Sequence, residues 1–319
     1  MKRLVIKNKQ NMHVEVLDWG CRIIALKVPD KSGRLIDAVL NYPNLADYKN
    51  DPYYVGGTVG RYANRIAQGR FTLEQLPIQL TTNEKIEKNH LHGGEIGFDK
   101  RYWNVVDITD NAIEMTLTSL HGEEGYPGML IANTRYELSD DNELTIKYTA
   151  KSTQTTIANI TNHSYFNLSD EQLSIDGHEI KVEANFYTPL DLYHLPKYPF
   201  KEKVDNTVFD LRQFKDVGHI KDVICNANYC IEKKEGNQVQ RVATILHIET
   251  GRQLTIFSDY PSLQVYFGNY LTGKLLPFQG LCCEPHFAPN SPNIITYPSA
   301  ILKPGEEYCH VIRYQFENF

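Results

Sequence analysis

An all-β protein, built as an antiparallel sandwich or barrel, is predicted on three observations. Apolar and polar residues alternate along much of the chain, turn signals separate the alternating runs, and helical periodicity is scarce. Alternation with period two sends one set of side chains to a buried face and the other set away from it. Ile113, Met115 and Leu117 alternate with Glu114, Thr116 and Thr118, and Leu144, Ile146 and Tyr148 alternate with Thr145 and Lys147. The pattern continues in Leu254, Ile256 and Ser258, then in Leu263, Val265 and Phe267. Turns are expected at Asp30-Lys31-Ser32-Gly33, Asp140-Asp141-Asn142, Glu235-Gly236-Asn237 and Glu249-Thr250-Gly251-Arg252. Asn44-Leu45-Ala46-Asp47-Tyr48 has the form of one short capped helical turn. The β-branched run Thr155-Thr156-Ile157-Ala158-Asn159-Ile160-Thr161 predicts a strand that rigidly delivers whatever follows it.

One domain spanning residues 1–319 is expected, because no composition shift marks a linker and no repeat of fixed period appears. The Pro-rich stretch 188–199, with Tyr187, Tyr193, Tyr198 and Phe200, is expected to pack as a lid over the sheet. Hydrophobic residues at 41% and charged residues at 23% are ordinary globular proportions, with ample material for a core. A net charge of −6 without a basic patch argues against nucleic acid and anionic membrane as partners. The basic N-terminus leads into no apolar signal region, and no apolar run approaches the length of a membrane span. Six cysteines without C-x-x-C spacing point to reduced thiols and a cytoplasmic setting. No βαβ rhythm, G-x-G-x-x-G or Walker sequence argues for a nucleotide.

Reactive side chains concentrate in four segments. Asn162-His163-Ser164-Tyr165-Phe166-Asn167-Leu168 sets an imidazole, whose charge changes near neutral pH, among small polar and aromatic residues. Asn89-His90-Leu91-His92-Gly93-Gly94 places another before two conformationally free glycines, and Cys282-Cys283-Glu284-Pro285 supplies a carboxylate. Gly60-Arg61-Tyr62-Ala63-Asn64-Arg65-Ile66 offers forked guanidinium donors beside an amide, a set that suits vicinal sugar hydroxyls and equally suits surface carboxylates. The plainer alternatives are a core histidine bonded at both nitrogens, a tight turn with an incidental histidine, and ordinary ion-pair arginines. The histidine spacing matches no H-E-x-x-H helix, so no metal is expected, although ligands could still gather from separate strands. G-x-S-x-G is absent, which removes support for a serine nucleophile.

Taken together, these segments resemble one family, the aldose 1-epimerases or galactose mutarotases. The resemblance rests on Arg61-Tyr62-Ala63-Asn64-Arg65-Ile66, His92-Gly93-Gly94, Gly97-Phe98-Asp99-Lys100, Glu124-Gly125-Tyr126-Pro127-Gly128 and the His163 segment, in that order. Gln264-Val265-Tyr266-Phe267-Gly268-Asn269, the Glu284 segment ending Ser291-Pro292-Asn293, and Leu302-Lys303-Pro304-Gly305-Glu306 complete a series that covers nearly the whole chain. The family implies a large β-sandwich, the galactose mutarotase-like supersandwich, with an open sugar-binding cleft and interconversion of α and β anomers of a free aldose. It implies His163 as general acid and Glu284 as general base, with Asn64, Arg65, His92, Tyr165, Asn226 and Gln264 binding the sugar. The chemistry agrees independently. Opening a cyclic hemiacetal needs a base for the C1 hydroxyl proton and an acid for the ring oxygen, each worth about 10²–10⁴-fold. No cofactor is needed. With ordinary proton affinities, Glu284 would set the acid limb of a bell-shaped pH profile and His163 the alkaline limb.

Three departures concern specificity. Asn226-Ala227-Asn228-Tyr229 stands where the family usually has Asp-His-Asn-Phe, and Asp222 could compensate only if its loop were shifted. His286 replaces a common glutamine, and a glycine common in the long loop is missing around Leu195-Pro196-Lys197-Tyr198. Two other readings stay open: an epimerase acting on the reducing end of an oligosaccharide such as maltose, and a non-catalytic sugar-binding protein on the same fold. A glycoside hydrolase would need a second placed carboxylate. The expected partner is a small sugar, and the expected assembly a monomer or homodimer.

Overall fold

In the computed structural model, which describes residues 1–232 and 238–319, the strands form three larger antiparallel sheets of nine, six and four strands, with four two-stranded ladders beside them. Ala112–Ser119, Leu130–Leu138 and Glu143–Ser152 run as a meander at one side of the nine-stranded sheet. The C-terminal strand Tyr308–Asn318 then joins Glu143–Ser152 to Arg252–Ser258. The alternation predicts the burial well: Ile113, Met115, Leu117, Leu144, Ile146, Tyr148, Leu254 and Ile256 are all buried in one cluster. Each such side chain contributes roughly 1.5–3 kcal/mol on leaving water. The expected turn Glu235-Gly236-Asn237 lies outside the described residues.

The six-stranded sheet runs in the order Tyr165–Phe166, Leu281–His286, Ser262–Tyr266, Asn226–Cys230, Phe186–Thr188 and Glu202–Lys203. Ala227, Tyr229, Leu263, Val265 and Cys283 turn one face of it into the same core. Phe166 meets Tyr314 of the large sheet edge to face, with ring centroids 5.0 Å apart, so the two sheets form a sandwich. Period two then sends Asn226, Asn228, Gln264, Cys282 and Glu284 to the opposite face. Antiparallel register sets Gln264 across from Glu284 and Asn228 across from Gln264. The sandwich packs on one face of this sheet, and the polar side chains gather on the other.

Several expectations change in detail. Residues 155–161 do not form one strand. Thr156–Ile157 pairs with Ile301–Leu302, Asn159 bridges to Tyr62, and Thr161–Asn162 pairs with Thr58–Val59. The segment is pinned by three successive partners instead of one. The turn near Asn44 is a 3-10 helix, Leu45–Asn50, and the Asn44 side chain makes no capping bond. Its buried residue Tyr48 instead accepts the Tyr42 N–H through its hydroxyl at 3.0 Å. An α-helix absent from the sequence reading, Val217–Ile224, starts where the Asp216 carboxylate accepts the Gly218 N–H at 2.7 Å. Eight residues are too few for a distinct periodic signal.

Candidate active site

A cavity of about 220 Å³ opens on the polar face of the six-stranded sheet, and all eight residues singled out from the sequence line it. Strand Leu281–His286 places Glu284 at its floor, 3% exposed. His163 stands between two short ladders, Thr161–Asn162 and Tyr165–Phe166. Its own peptide is held at both ends: its N–H donates to the Gly57 carbonyl, and its carbonyl accepts the Gly56 N–H, each at 2.9 Å. The imidazole is thereby fixed without belonging to a strand. Nε2 of His163 lies 3.6 Å from Oε2 of Glu284, and Nδ1 lies 3.6 Å from the Cys282 sulfur.

Burial shifts this pair against the sequence expectation. Loss of water raises the Glu284 carboxyl to about 8, opposed by the positive charge of Arg65. The same loss lowers His163 to about 4. Glu284 Oε2 has no hydrogen-bond partner among the described residues. Burial therefore favours the arrangement in which the one transferable proton of the pair sits on the carboxyl.

The remaining predicted residues arrive from loops and from neighbouring strands. Gly93 follows His92 with φ +94°, and a Cβ there would collide with the Gly60 carbonyl oxygen, so the turn requires glycine. The Glu124 carboxylate braces this turn by accepting the N–H groups of Glu95 and Ile96 at 3.1 and 2.9 Å. Nδ1 of His92 accepts the Asn64 N–H at 3.2 Å, which leaves the ring proton on Nε2 as a donor. Arg65 forks onto Glu84, with its closest contact at 2.7 Å, and still lines the cleft. Tyr165 donates its hydroxyl to the Tyr53 carbonyl at 3.0 Å and sets its ring 5.1 Å from that of His163. Asn226 and Gln264 are joined directly, Gln264 Nε2 donating to Asn226 Oδ1.

Other conspicuous residues prove structural. Arg61 is 1% exposed and donates to the carbonyls of Pro127 and Gly128, each at 3.0 Å. His90 is the core histidine, bonded to the Thr81 carbonyl at 2.7 Å and the Tyr126 hydroxyl at 2.5 Å. His286 is fully buried behind the cleft and approaches it only through Asn64, 3.5 Å away. Asp222 is exposed on the helix Val217–Ile224 and does not substitute for the acid missing at 226. The loop 188–199 does reach the cleft, but through His194 and not through Tyr193 or Tyr198, which point to solvent.

Sequence reasoning missed Tyr54, His194, Tyr266 and Tyr270. Tyr266 was available, because it shares the alternation face of Gln264. His194 and Tyr54 carry no pattern. Tyr54 owes its place to a fully buried ion pair, Arg22 to Asp51 at 2.7 Å, whose carboxylate also accepts the N–H groups of Tyr53 and Val55 at 2.9 and 2.7 Å.

His92, His163 and Glu284 offer ligand atoms all within 4.8 Å of one another. The surroundings do not suit a metal. Ligating imidazoles donate their second N–H to a carboxylate or carbonyl, whereas His92 accepts an N–H there and His163 faces a thiol. A larger cavity of about 890 Å³ near Lys7, Asp110 and Asp140 has no comparable acid–base pair.

Known proteins resemble this chain over nearly its whole length. A family model described as aldose 1-epimerase matches residues 2–315. The galactose mutarotase of Mus musculus is 39% identical over 318 residues, covering 96% of this chain and 91% of that protein. The aldose 1-epimerase of Escherichia coli K12 is 33% identical over 98% of this chain and 94% of its own length. Among solved structures, an aldose epimerase homologue from C. elegans superposes with a TM-score of 0.93 at 27% identity, with 99% of both chains covered. The chain belongs to the aldose 1-epimerase family.

Proposed function

We propose that this cleft interconverts the α and β anomers of a free monosaccharide, with His163 and Glu284 exchanging protons with its anomeric centre. The observation that carries the reading is the 3.6 Å approach of Nε2 to Oε2 at the floor of a cavity that suits one sugar ring. Its volume of about 220 Å³ falls below the roughly 300–1,000 Å³ of pockets that hold drug-sized ligands. That size fits one sugar ring, and a free monosaccharide is its simplest occupant.

In the reactive state the proton resting on Glu284 passes to His163. The carboxylate then takes the C1 hydroxyl proton while imidazolium Nε2 protonates the ring oxygen, and the ring opens. Rotation about C1–C2 and the reverse transfers close it as the other anomer. The guanidinium of Arg65, which opposes the rise in the Glu284 pKa, supports the carboxylate form. His92 Nε2–H, Asn64 and Gln264 hold the sugar hydroxyls, and Tyr165 walls the ring. The open-chain stage returns the pair to neutral carboxyl and neutral imidazole, the state favoured by burial. No metal or nucleotide takes part in these steps.

We further propose that the chain is a single domain, works as a monomer or homodimer, and resides in the cytoplasm. Support for the last comes from six free cysteines. The decisive experiment follows freshly dissolved α-glucose, α-galactose and α-maltose by polarimetry with and without protein. Acceleration of no sugar would refute the reading, and acceleration of maltose alone would replace the monosaccharide with an oligosaccharide end.

A further inference from the structure

The polar wall of the cleft contains a hydrogen-bond chain whose direction is forced at every link. It begins at an unambiguous donor, the backbone N–H of Arg65, which donates to Asn64 Oδ1 at 2.8 Å. The Asn64 amide must therefore present Nδ2–H, which donates to Gln264 Oε1 at 3.2 Å. Asn228 Nδ2 donates to the same oxygen at 3.2 Å, in agreement with that orientation of Gln264. Gln264 Nε2–H in turn donates to Asn226 Oδ1, and Asn226 Nδ2–H faces His194 Nδ1 at 3.3 Å. Each amide has one oxygen and one NH2 group, so no link can be reversed alone. With Nδ1 accepting, the proton of a neutral His194 ring sits on Nε2.

We propose that His194 is a specificity-determining residue that donates Nε2–H from the lid loop to an acceptor oxygen of the bound sugar. The inference rests on the aldose 1-epimerase reading above and extends it to a residue outside the family motifs. His194 lines the cavity beside Asn226, and among the described residues its Nε2 meets only the Tyr270 hydroxyl, at 3.5 Å, the long limit of a hydrogen bond. That donor is free to take a better acceptor. The loop is organised in advance. Asp191 accepts the N–H groups of Tyr193 and Leu195 at 2.8 and 2.9 Å, and His194 occupies the left-handed region at φ +58°. Burial, then the nearby charge of Arg65, lowers the pKa of the ring and keeps it neutral at neutral pH.

Asn226 thus has a role that an aspartate could not fill. A carboxylate at 226 would still accept from Gln264 but has no N–H for His194. The ring would turn its proton to Nδ1, and the sugar would meet a lone pair instead of a donor. Through Asn226, this chain recognises an acceptor oxygen at its rim.

Two measurements test this. Long-range proton–nitrogen NMR of the whole protein should show His194 as the Nε2–H tautomer, changed to Nδ1–H or imidazolium by Asn226→Asp. Wild type as Nδ1–H would overturn the proposal. In anomer exchange kinetics, His194→Ala should raise KM for hexoses about fivefold to tenfold and leave kcat within about twofold, with His194→Gln recovering part of the loss. Across singly deoxygenated and singly fluorinated sugars, one ring position should matter to wild type and not to His194→Ala. At that position fluorine, which still accepts, should be tolerated better than hydrogen. An unchanged KM for every sugar in His194→Ala also overturns the proposal. Wild-type protein inactive on all aldoses would instead refute the enzymatic reading, and the tautomer measurement would still decide the hydrogen-bond chain.

Discussion

Nε2 of His163 and Oε2 of Glu284 stand 3.6 Å apart, and burial moves their proton affinities in opposite directions, the carboxyl up to about 8 and the imidazole down to about 4. Burial thus disfavours the ion pair and favours a neutral acid beside a neutral base. Because they share one proton, they titrate as a unit. Loss of either should remove nearly all that both contribute. Glu284→Gln keeps size and hydrogen bonding but cannot cycle a proton, so turnover should fall by at least about 10²-fold. His163→Asn should match it, and the double variant should be only slightly worse. Single-anomer NMR exchange measures this, and near-normal turnover in Glu284→Gln would place the base elsewhere.

The pH profile should be flat-topped. Below about 4, His163 takes a second proton, and above about 8 Glu284 gives up the shared one, so activity falls on both sides. This assignment of limbs is the reverse of the one that ordinary side-chain values give. Arg65 lowers the Glu284 pKa, so Arg65→Gln should move the alkaline limb of kcat/KM upward. A limb that stays in place or moves down would show that Arg65 does not act on the carboxyl.

Stability should depend heavily on Asp51. Its carboxylate is fully buried against Arg22 and also accepts the Tyr42 hydroxyl at 2.9 Å. Asp51→Ala leaves a buried guanidinium without its partner, which should cost about 3–5 kcal/mol. Urea denaturation reads this directly, and a loss below about 1 kcal/mol would mean that solvent reaches Arg22.

Asp99 should make stability fall as pH rises. Among the described residues neither of its carboxylate oxygens has a partner, and burial, opposed by the Arg22 charge, raises its pKa to about 6. A carboxyl with a folded pKa above its unfolded value of roughly 3.9 holds its proton more tightly when folded. Its contribution is therefore complete below about 4 and is lost as pH rises through about 6. Asp99→Asn should accordingly stabilise the protein by roughly 1–3 kcal/mol at pH 8 and by little at pH 4. Equal gains at both pH values in denaturant titrations would exclude Asp99 as the source.

Exhaustive dialysis against a chelator should leave anomer interconversion intact. His92 and His163 lack the outward N–H contacts of metal ligands, although they sit within ligand distance of Glu284. Activity lost on dialysis and restored by a divalent ion would make the trio a metal centre.

Much of this was legible in the linear sequence because it follows from local rules. Leu263 and Val265 announce a buried face, and their alternation alone sends Gln264 and Tyr266 to the other face. The ordered motifs carried the family and seven of the eight cavity-lining residues singled out from the sequence, while Asn226 was found as a departure from the family's pattern. Tertiary structure decided the rest. Arg61 and Arg65 look alike in sequence, yet one ties loops together by their carbonyls and the other lines the cleft, since only packing determines which groups a guanidinium meets. His194 lies in an irregular loop with no periodicity, and it becomes a wall of the site only because the chain folds back onto Asn226. The resting position of the shared proton was likewise beyond the sequence. It follows from how much water the sandwich and its loops exclude around Glu284 and His163, and that exclusion depends on residues distant in the chain.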